Sequence, residues 1–146
     1  MLFSHVITLT FCLNLSTSGG LALNNKEKAR VYAELGFDWS LFLSTFVHNE
    51  LVTMTIKMFG NDEQKQKYLP KLASGEMTGA FCLHESSCGQ DIAGIQSRAT
   101  PIQHDGKEYL MFNGLKSWVT NGALADVLIV FSKMRSIADD AVGEQY

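Results

Sequence analysis

Basic clusters and paired cysteines are scarce in this sequence, and each shortage excludes a class of protein. Twelve Lys and Arg residues stand against fifteen Asp and Glu, giving a net charge of −3, and no basic run offers a surface to nucleic acid. The three cysteines (Cys12, Cys82 and Cys88) are an odd number, so no closed disulfide framework is implied and a reducing compartment is favoured. Charged residues make up only 18% against 46% hydrophobic residues, a composition that forms a core.

The first residues lack the features of common targeting segments. Residues 1–18 are mildly apolar but too short to span a bilayer as a helix, and the sequence predicts no transmembrane segment. A secretory signal has Lys or Arg before its apolar stretch, and none precedes the apolar stretch here. Mitochondrial transit peptides are rich in arginine, and the first arginine of this chain is Arg30. We interpret residues 1–18 as an irregular or mis-joined terminus and the acidic residues 135–146 as a frayed tail.

The sequence before Gly75 predicts helices, because its apolar residues recur at helical spacing. Asparagine and aspartate N-caps precede a helix over 26–35 and a longer helix from residue 39 to about Phe59. Pro70 is expected to open a separate last turn, since its fixed φ and missing N–H are tolerated at a first helical position. Six apolar residues of the long helix are expected on one face: Leu43, Phe46, Val47, Leu51, Met54 and Met58.

The sequence after Gly75 predicts strands. Asp105-Gly106 is a favoured two-residue hairpin signal, and the run Val127–Phe131 is apolar on both faces, which predicts a central strand covered by helices. The fold class is therefore α+β: N-terminal α-helices, residues 19–75, followed by an antiparallel β-domain, residues 76–134, in the form of a meander or a small, partial barrel. The predicted runs are 78–83, 95–102, 107–112 and 126–132, with 116–120 as a shorter fifth.

Two short segments in this second half carry the main functional signal. They read FCLHESSCGQD, residues 81–91, and WVTNG, residues 118–122. They resemble the two signatures with which acyl-CoA dehydrogenases hold the isoalloxazine ring of FAD, Leu-Thr-Glu-Pro-x-x-Gly-Ser-Asp and Trp-Ile-Thr-Asn-Gly. The resemblance runs from about Gly19 to Met134, is strongest to the mitochondrial very-long-chain type, and covers part of the N-terminal helical domain and most of the middle β-domain.

The resemblance implies an FAD site and a position for each residue in it. His84 lies where the family's threonine meets the pyrimidine edge, Thr120 serves the N5/O4 side, and Trp118 packs against the ring. Gln90 lies near the flavin phosphates and the CoA portion of the thioester, so it is also expected to bind substrate. The expected cofactor-binding residues are Phe81, Leu83, His84, Gly89, Gln90, Trp118, Val119 and Thr120.

Three residues depart from the family pattern, with His84 for threonine, Ser86 for proline and Gln90 for serine. A histidine ring where the family has a small hydroxyl is an overpacking that typically costs about 1–3 kcal/mol. The lost proline frees the loop, with an entropic cost of up to about 1 kcal/mol. FAD affinity is therefore expected to be lower than in the family.

The family reaction is α,β-dehydrogenation of an acyl-CoA in fatty acid β-oxidation, with hydride transfer to flavin N5. In most members the base is a glutamate of a C-terminal helical bundle, which is expected to be missing here. No residue is assigned as catalytic, Glu85 is not taken as the base, and whether the chain is an enzyme stays open. The resemblance further implies acyl-CoA as partner, a homo-oligomer in the full-length family and a mitochondrial location.

Other interpretations remain open. Trp118 taken alone would be a core aromatic residue. Cys82, His84 and Cys88 suggest a metal site, but no fourth ligand has recognisable spacing and none is predicted. The chain is alternatively a non-catalytic interaction module derived from the family, or an unstable truncated product.

Overall fold

The computed structural model describes residues 19–134 as helices followed by strands. The predictions for residues 1–18 and 135–146, and Cys12, lie outside the described residues. Within residues 19–134, no helix is long and apolar enough to cross a membrane.

Helix α1 (Asn25–Leu35) begins as predicted, because the Asn24 side chain accepts the backbone N–H groups of Lys26 and Glu27. The predicted long helix is also present. It consists of α2 (Trp39–Phe46), a π-helical segment (Val47–Thr53) and α3 (Met54–Phe59), which follow one another without a break.

The π-helical segment changes which residues face the core. Its i→i+5 hydrogen bonds widen each turn, so a stripe at spacings of three and four no longer stays on one face. Met58, predicted on the buried face, is 64% exposed, whereas His48, Asn49 and Thr53 are buried. The predicted apolar face is therefore wrong at this end of the helix.

Helix α4 spans Asp62–Ser74 and contains Pro70 in its interior. The prediction that Pro70 opens a separate turn is wrong. The Asn61 capping box starts the helix far upstream, and Pro70 is exposed, so water can reach the backbone that its missing N–H leaves unbonded. The helix ends at Gly75, whose φ of 75° is the left-handed conformation expected of a glycine C-cap.

Within residues 19–134 the strands form two sheets. β1 (Gly79–Cys82) pairs with β4 (Val127–Val130), and a second sheet has the order β3 (Lys107–Asn113), β2 (Arg98–His104), β5 (Lys133–Met134). The α+β class is confirmed, but the strands are not all antiparallel, because β2 pairs antiparallel with β3 and parallel with β5. The barrel is not closed.

Local details of the strands agree only in part with the sequence. The hairpin at Asp105-Gly106 is confirmed, and both residues have the positive φ that a tight two-residue turn favours. The predicted strand over residues 116–120 is absent from the described structure. β4 was expected to be a central strand, yet it belongs to a two-stranded sheet and Leu128 is 52% exposed.

The described residues form two compact units. Within the described residues, the helical unit comprises residues 19–81 together with Thr120–Ile129, and the hairpin unit comprises Cys82–Val119 and residues 130–134. Val127 and Ile129 pack on the core of the helical unit. The predicted domain boundaries remain a prediction. The buried core of the helical unit contains Val47, Val52, Ile56, Leu69, Leu72 and Ala73.

Candidate functional site

The first predicted flavin segment forms a tight loop in the hairpin unit. Glu85 and Cys88 exchange backbone hydrogen bonds of 3.1 Å, which close the turn between them. The Cys88 thiol donates to the Asp91 carbonyl oxygen at 2.7 Å, and the Asp91 carboxylate accepts the N–H of Ala93. The loop is therefore held by its own side chains.

Glu85 lies at the centre of a buried set of polar contacts. One carboxylate oxygen accepts the N–H of Gln96 at 2.7 Å, and the other accepts the N–H of Ser97 at 3.0 Å. The Lys116 ammonium group donates to Glu85 at 2.7 Å and to the Leu83 carbonyl oxygen at 3.1 Å. Because every partner of the carboxylate is a donor, the charged form of Glu85 is the form that fits.

These contacts attach the residues directly before the second predicted segment to the first segment. Lys116 precedes Trp118 by two residues, and the N–H of Ser117 donates to the His84 carbonyl oxygen at 3.0 Å. The residues that lead into Trp118 and Val119 are thereby bonded to the segment that carries Leu83 and His84. The structure brings together two segments that lie about thirty residues apart in sequence.

The contacts of the pair outweigh its burial in setting the charge of Glu85. The side chains of Glu85 and Lys116 are only 4% and 11% exposed. The Lys116 ammonium group, with further hydrogen bonds from Ser97 and Gln96, lowers the pKa of Glu85 to about 2. Glu85 is therefore ionised at neutral pH and saturated with donors, which does not suit a general base. Burial raises the pKa of the Cys82 thiol, although Lys116 lowers it in part, so Cys82 is not a thiolate nucleophile.

Trp118 is presented to solvent in an unusual conformation. Its side chain is 94% exposed and its φ is 57°, a value that is uncommon for a bulky residue. His84, Gly89 and Gln90 are exposed as well. A Cβ added at Gly89 would meet nothing within 4 Å, so space is open beside this backbone.

Phe81 and Thr120 belong to the helical unit. The partly buried Phe81 packs on the helical core, and Thr120 opens the turn that contains Asn121. The Asn121 side chain accepts from the Ser44 hydroxyl group at 2.6 Å and donates to the carbonyl oxygens of Ser44 and Gly79 at 3.0 and 3.2 Å. Asn121 therefore fixes the end of the second motif.

Sequence reasoning missed Lys116 as a residue of the site. A single lysine in a predicted strand gives no signal by itself, and only the buried acid at Glu85 could have suggested a cationic partner. Cys82 and Cys88 are free thiols, and no group of three metal-ligating side chains occurs within residues 19–134.

Comparison with known proteins identifies the family. Residues 11–76 match the family "Acyl-CoA dehydrogenase, N-terminal domain". The chain is 44% identical over 126 residues to the mitochondrial very long-chain specific acyl-CoA dehydrogenase of Bos taurus, over 86% of this chain and 19% of that protein. It thus spans about a fifth of the length of this relative.

Solved structures agree with the sequence match. An acyl-CoA dehydrogenase of Bacillus anthracis complexed with FAD is similar with a TM-score of 0.82 and 32% identity, covering 91% of this chain and 23% of that one. A glutaryl-CoA dehydrogenase of Mycobacterium smegmatis in complex with FADH2 has a TM-score of 0.79 and 29% identity, covering 90% and 34%. The chain belongs to the acyl-CoA dehydrogenase family, as part of the length of its members.

Proposed function

We propose that the chain provides a flavin-binding part of an acyl-CoA dehydrogenase, in which segments 83–91 and 116–119 hold FAD. The observation that carries this proposal is that Lys116 and Ser117, directly before the exposed Trp118, are hydrogen-bonded to the first motif segment. Relatives with FAD or FADH2 bound and the family match support it. The proposed substrate class is acyl-CoA.

The residues of the hairpin unit suit a flavin. An isoalloxazine ring needs an apolar surface and hydrogen-bond donors at its edges. Trp118 offers an exposed indole face, His84 and Gln90 offer exposed donors, and the open space at Gly89 allows close approach to the backbone. The Ser117 hydroxyl group is buried with no hydrogen-bond partner, so it has bonding capacity to spare.

Each residue has a proposed part in binding. Trp118 stacks on the ring and excludes water from one face, while His84 donates to the pyrimidine edge. Gln90 lies toward the phosphates and the CoA portion. Leu83 and Val119 complete the proposed set in the hairpin unit, on the strength of the resemblance, and Phe81 and Thr120 remain predictions from that resemblance. Bound FAD would supply the hydride acceptor in α,β-dehydrogenation, and no residue is proposed as the base.

We expect Trp118→Ala to weaken FAD binding by about tenfold, because stacking of an aromatic pair contributes about 0.5–1.5 kcal/mol beyond the area that it buries. The measurement is a fluorescence titration with FAD. Trp39→Ala is the control, since Trp39 lies at the start of α2 and stacks on Phe42. The chain has two tryptophans, so this control leaves Trp118 as the single tryptophan, and FAD should quench its fluorescence.

Two results would contradict the proposal. A purified wild-type chain that is folded, but neither becomes yellow with FAD nor changes its fluorescence, does not bind the cofactor. Equal losses of affinity in Trp118→Ala and Trp39→Ala would mean that Trp118 has no special role.

Replacing His84→Thr together with Gln90→Ser should strengthen FAD binding by about tenfold. The replacements remove side-chain volume that the family pattern does not contain, and overpacking of this kind costs about 1–3 kcal/mol. Isothermal titration calorimetry of wild type and double variant measures the difference, with His104→Thr as an exposed-histidine control. An unchanged affinity would mean that neither side chain faces the cofactor.

The cellular setting is proposed from the relatives. The curated relatives of very-long-chain type are mitochondrial, and we propose the same location and a place in fatty acid β-oxidation. A homo-oligomer is proposed as in the full-length family. Fractionation of cells that express a tagged chain tests the location, and recovery outside the mitochondria would contradict it.

A second candidate function is a docking module, which the exposed edge strand β3 favours. β3 lies at one edge of its three-stranded sheet, and its apolar residues Tyr109, Leu110, Met111 and Phe112 are 44–56% exposed. A folded chain that binds no FAD would favour this function over cofactor binding.

A further inference from the structure

The segments that carry the predicted flavin residues have little regular secondary structure to hold them. Residues 83–91 and 114–119 contain no strand or α-helix, and residues 95–97 lead into β2 without one. Their conformation must therefore come from individual contacts. The backbone contributes the Glu85–Cys88 turn, one bond from Ser117 to His84, one from Ile95 to Ile92 and one from Lys133 to Ser97.

Glu85 supplies hydrogen-bond acceptors to backbone N–H groups of these segments. The N–H groups of Gln96 and Ser97 both donate to its carboxylate, and backbone donors left unpaired on burial cost free energy. Lys116 then joins the third segment to the same carboxylate and to the Leu83 carbonyl oxygen. One ion pair therefore connects three irregular segments.

Gly114 gives independent support for close packing here. A Cβ at Gly114 would overlap the Ser97 side chain and lie 2.8 Å from the Ser97 Cα atom. The backbone before Lys116 thus runs directly against the residue whose N–H Glu85 accepts. The contact leaves little room for the segment to shift.

A buried ion pair is a weak way to add stability. The desolvation of two charges offsets most of their attraction, and apolar residues of similar volume often serve as well. Such a pair does favour one arrangement of the segments that carry it, because any other arrangement would leave a buried charge without its hydrogen-bond partners. Trp118, two residues beyond Lys116, has a strained positive φ that only a well-fixed neighbourhood maintains.

We propose that Glu85 and Lys116 are a positioning pair, which holds segment 83–91 against segment 114–119 so that both present their side chains to the flavin. The effect on FAD rests on the function proposed above. The effect on the two segments does not, so it can be measured in the chain without cofactor.

The test compares two ion pairs of the same chain. Lys116→Met removes the charge and keeps most of the aliphatic stem. Lys28→Met is the matched control, because Lys28 forms a similarly shielded pair with Glu50 in the helical unit, at 3.2 Å with side chains 16% and 19% exposed. Melting temperature, hydrogen exchange of the chain without cofactor and FAD affinity are measured for both. If Lys116→Met fails to fold, Glu85→Gln takes its place, with Glu50→Gln as its control. Lys116→Arg keeps the charge and should retain much of the wild-type behaviour.

The expected result is specific to the pair. Lys116→Met should exchange faster at residues 83–97 and 114–119 and bind FAD about tenfold more weakly, which corresponds to about 1.4 kcal/mol. Lys28→Met should change neither the exchange of these residues nor the FAD affinity, even if it lowers the melting temperature as much as Lys116→Met does.

Other results would overturn the proposal. Unchanged exchange in both segments would mean that the pair does not hold them, and an equal loss of FAD affinity in Lys28→Met would mean that general destabilisation is the cause. If wild type binds no FAD, the proposed function fails, and the exchange data alone decide whether the pair is a positioning pair.

Discussion

Lowering the pH from 6.5 to about 4 should reduce the free energy of unfolding by about 3 kcal/mol, through His48 alone. His48 is fully buried in the π-helical segment. Its Nδ1 faces the N–H of Gly79 at 3.1 Å, and its Nε2 faces the Leu72 carbonyl oxygen at 3.1 Å. Since an amide N–H can only donate, Nδ1 must accept, and Nε2 carries the proton that bonds to Leu72.

The direction of the pH effect follows from this neutral ring. Burial lowers the pKa of His48 to about 4 from an ordinary value of 6.5, although the Leu72 carbonyl oxygen raises it in part. Between these values the unfolded chain takes up a proton that the folded chain refuses. The stabilisation is therefore complete above pH 6.5 and is lost as the pH falls through about 4.

Urea unfolding followed by circular dichroism, repeated across this pH range, measures the effect. His48→Gln should be less stable at pH 7, because Gly79 loses its acceptor, but should lack this part of the pH dependence. His104→Gln is the control, since His104 is exposed beside Asp105 and should leave the wild-type slope unchanged. A wild type with constant stability above pH 4 would show that folding does not lower the pKa of His48, and a His48→Gln variant with the full slope would show that another group titrates.

Features that depend on a few neighbouring residues could be predicted from the sequence. Asn24 caps α1 and Gly75 ends α4, because a cap needs only a side chain or a conformation within one turn. Asp105-Gly106 gave the hairpin for the same reason. Such signals need no knowledge of the rest of the chain.

Features that depend on distant residues could not be predicted. The π-helical segment brings His48 between Leu72 and Gly79, and these partners lie 24 and 31 residues away. Apolar periodicity assumes an undisturbed α-helix, so it placed Met58 on the wrong face. Pro70 likewise reads as a helix start, and only the continuous helix around it corrects that interpretation.

The candidate site divides in the same way. Its segments could be found because flavin signatures are short and local, but the contact between Lys116 and Glu85 spans 31 residues. Family resemblance suggested parts for His84 and Trp118, whereas the structure adds that the segments bearing them are bonded to each other. The motifs that identify the proposed site thus do not predict the interactions that hold its segments together.

The core of the helical unit should be highly sensitive at Leu72. Leu72 has no exposed surface, and it packs in one cluster with Val52, Ile56 and Leu69. Leu72→Ala removes buried methyl and methylene groups and leaves a cavity that close-packed neighbours fill only in part, so we expect a loss of about 2–5 kcal/mol in the free energy of unfolding.

Leu128→Ala is the matched control for Leu72→Ala, because the same atoms are removed from a side chain that is 52% exposed and the loss should stay below about 1 kcal/mol. Urea unfolding of both variants at pH 7, where His48 is neutral, measures the two losses. Because a protein of this size has about 5–15 kcal/mol of stability in total, Leu72→Ala should remove a large part of it. Equal losses at the two positions would contradict the burial of Leu72 in a packed core. The His48 bond to the Leu72 carbonyl oxygen is a backbone contact that alanine retains, so the pH dependence should persist in Leu72→Ala while its stability falls.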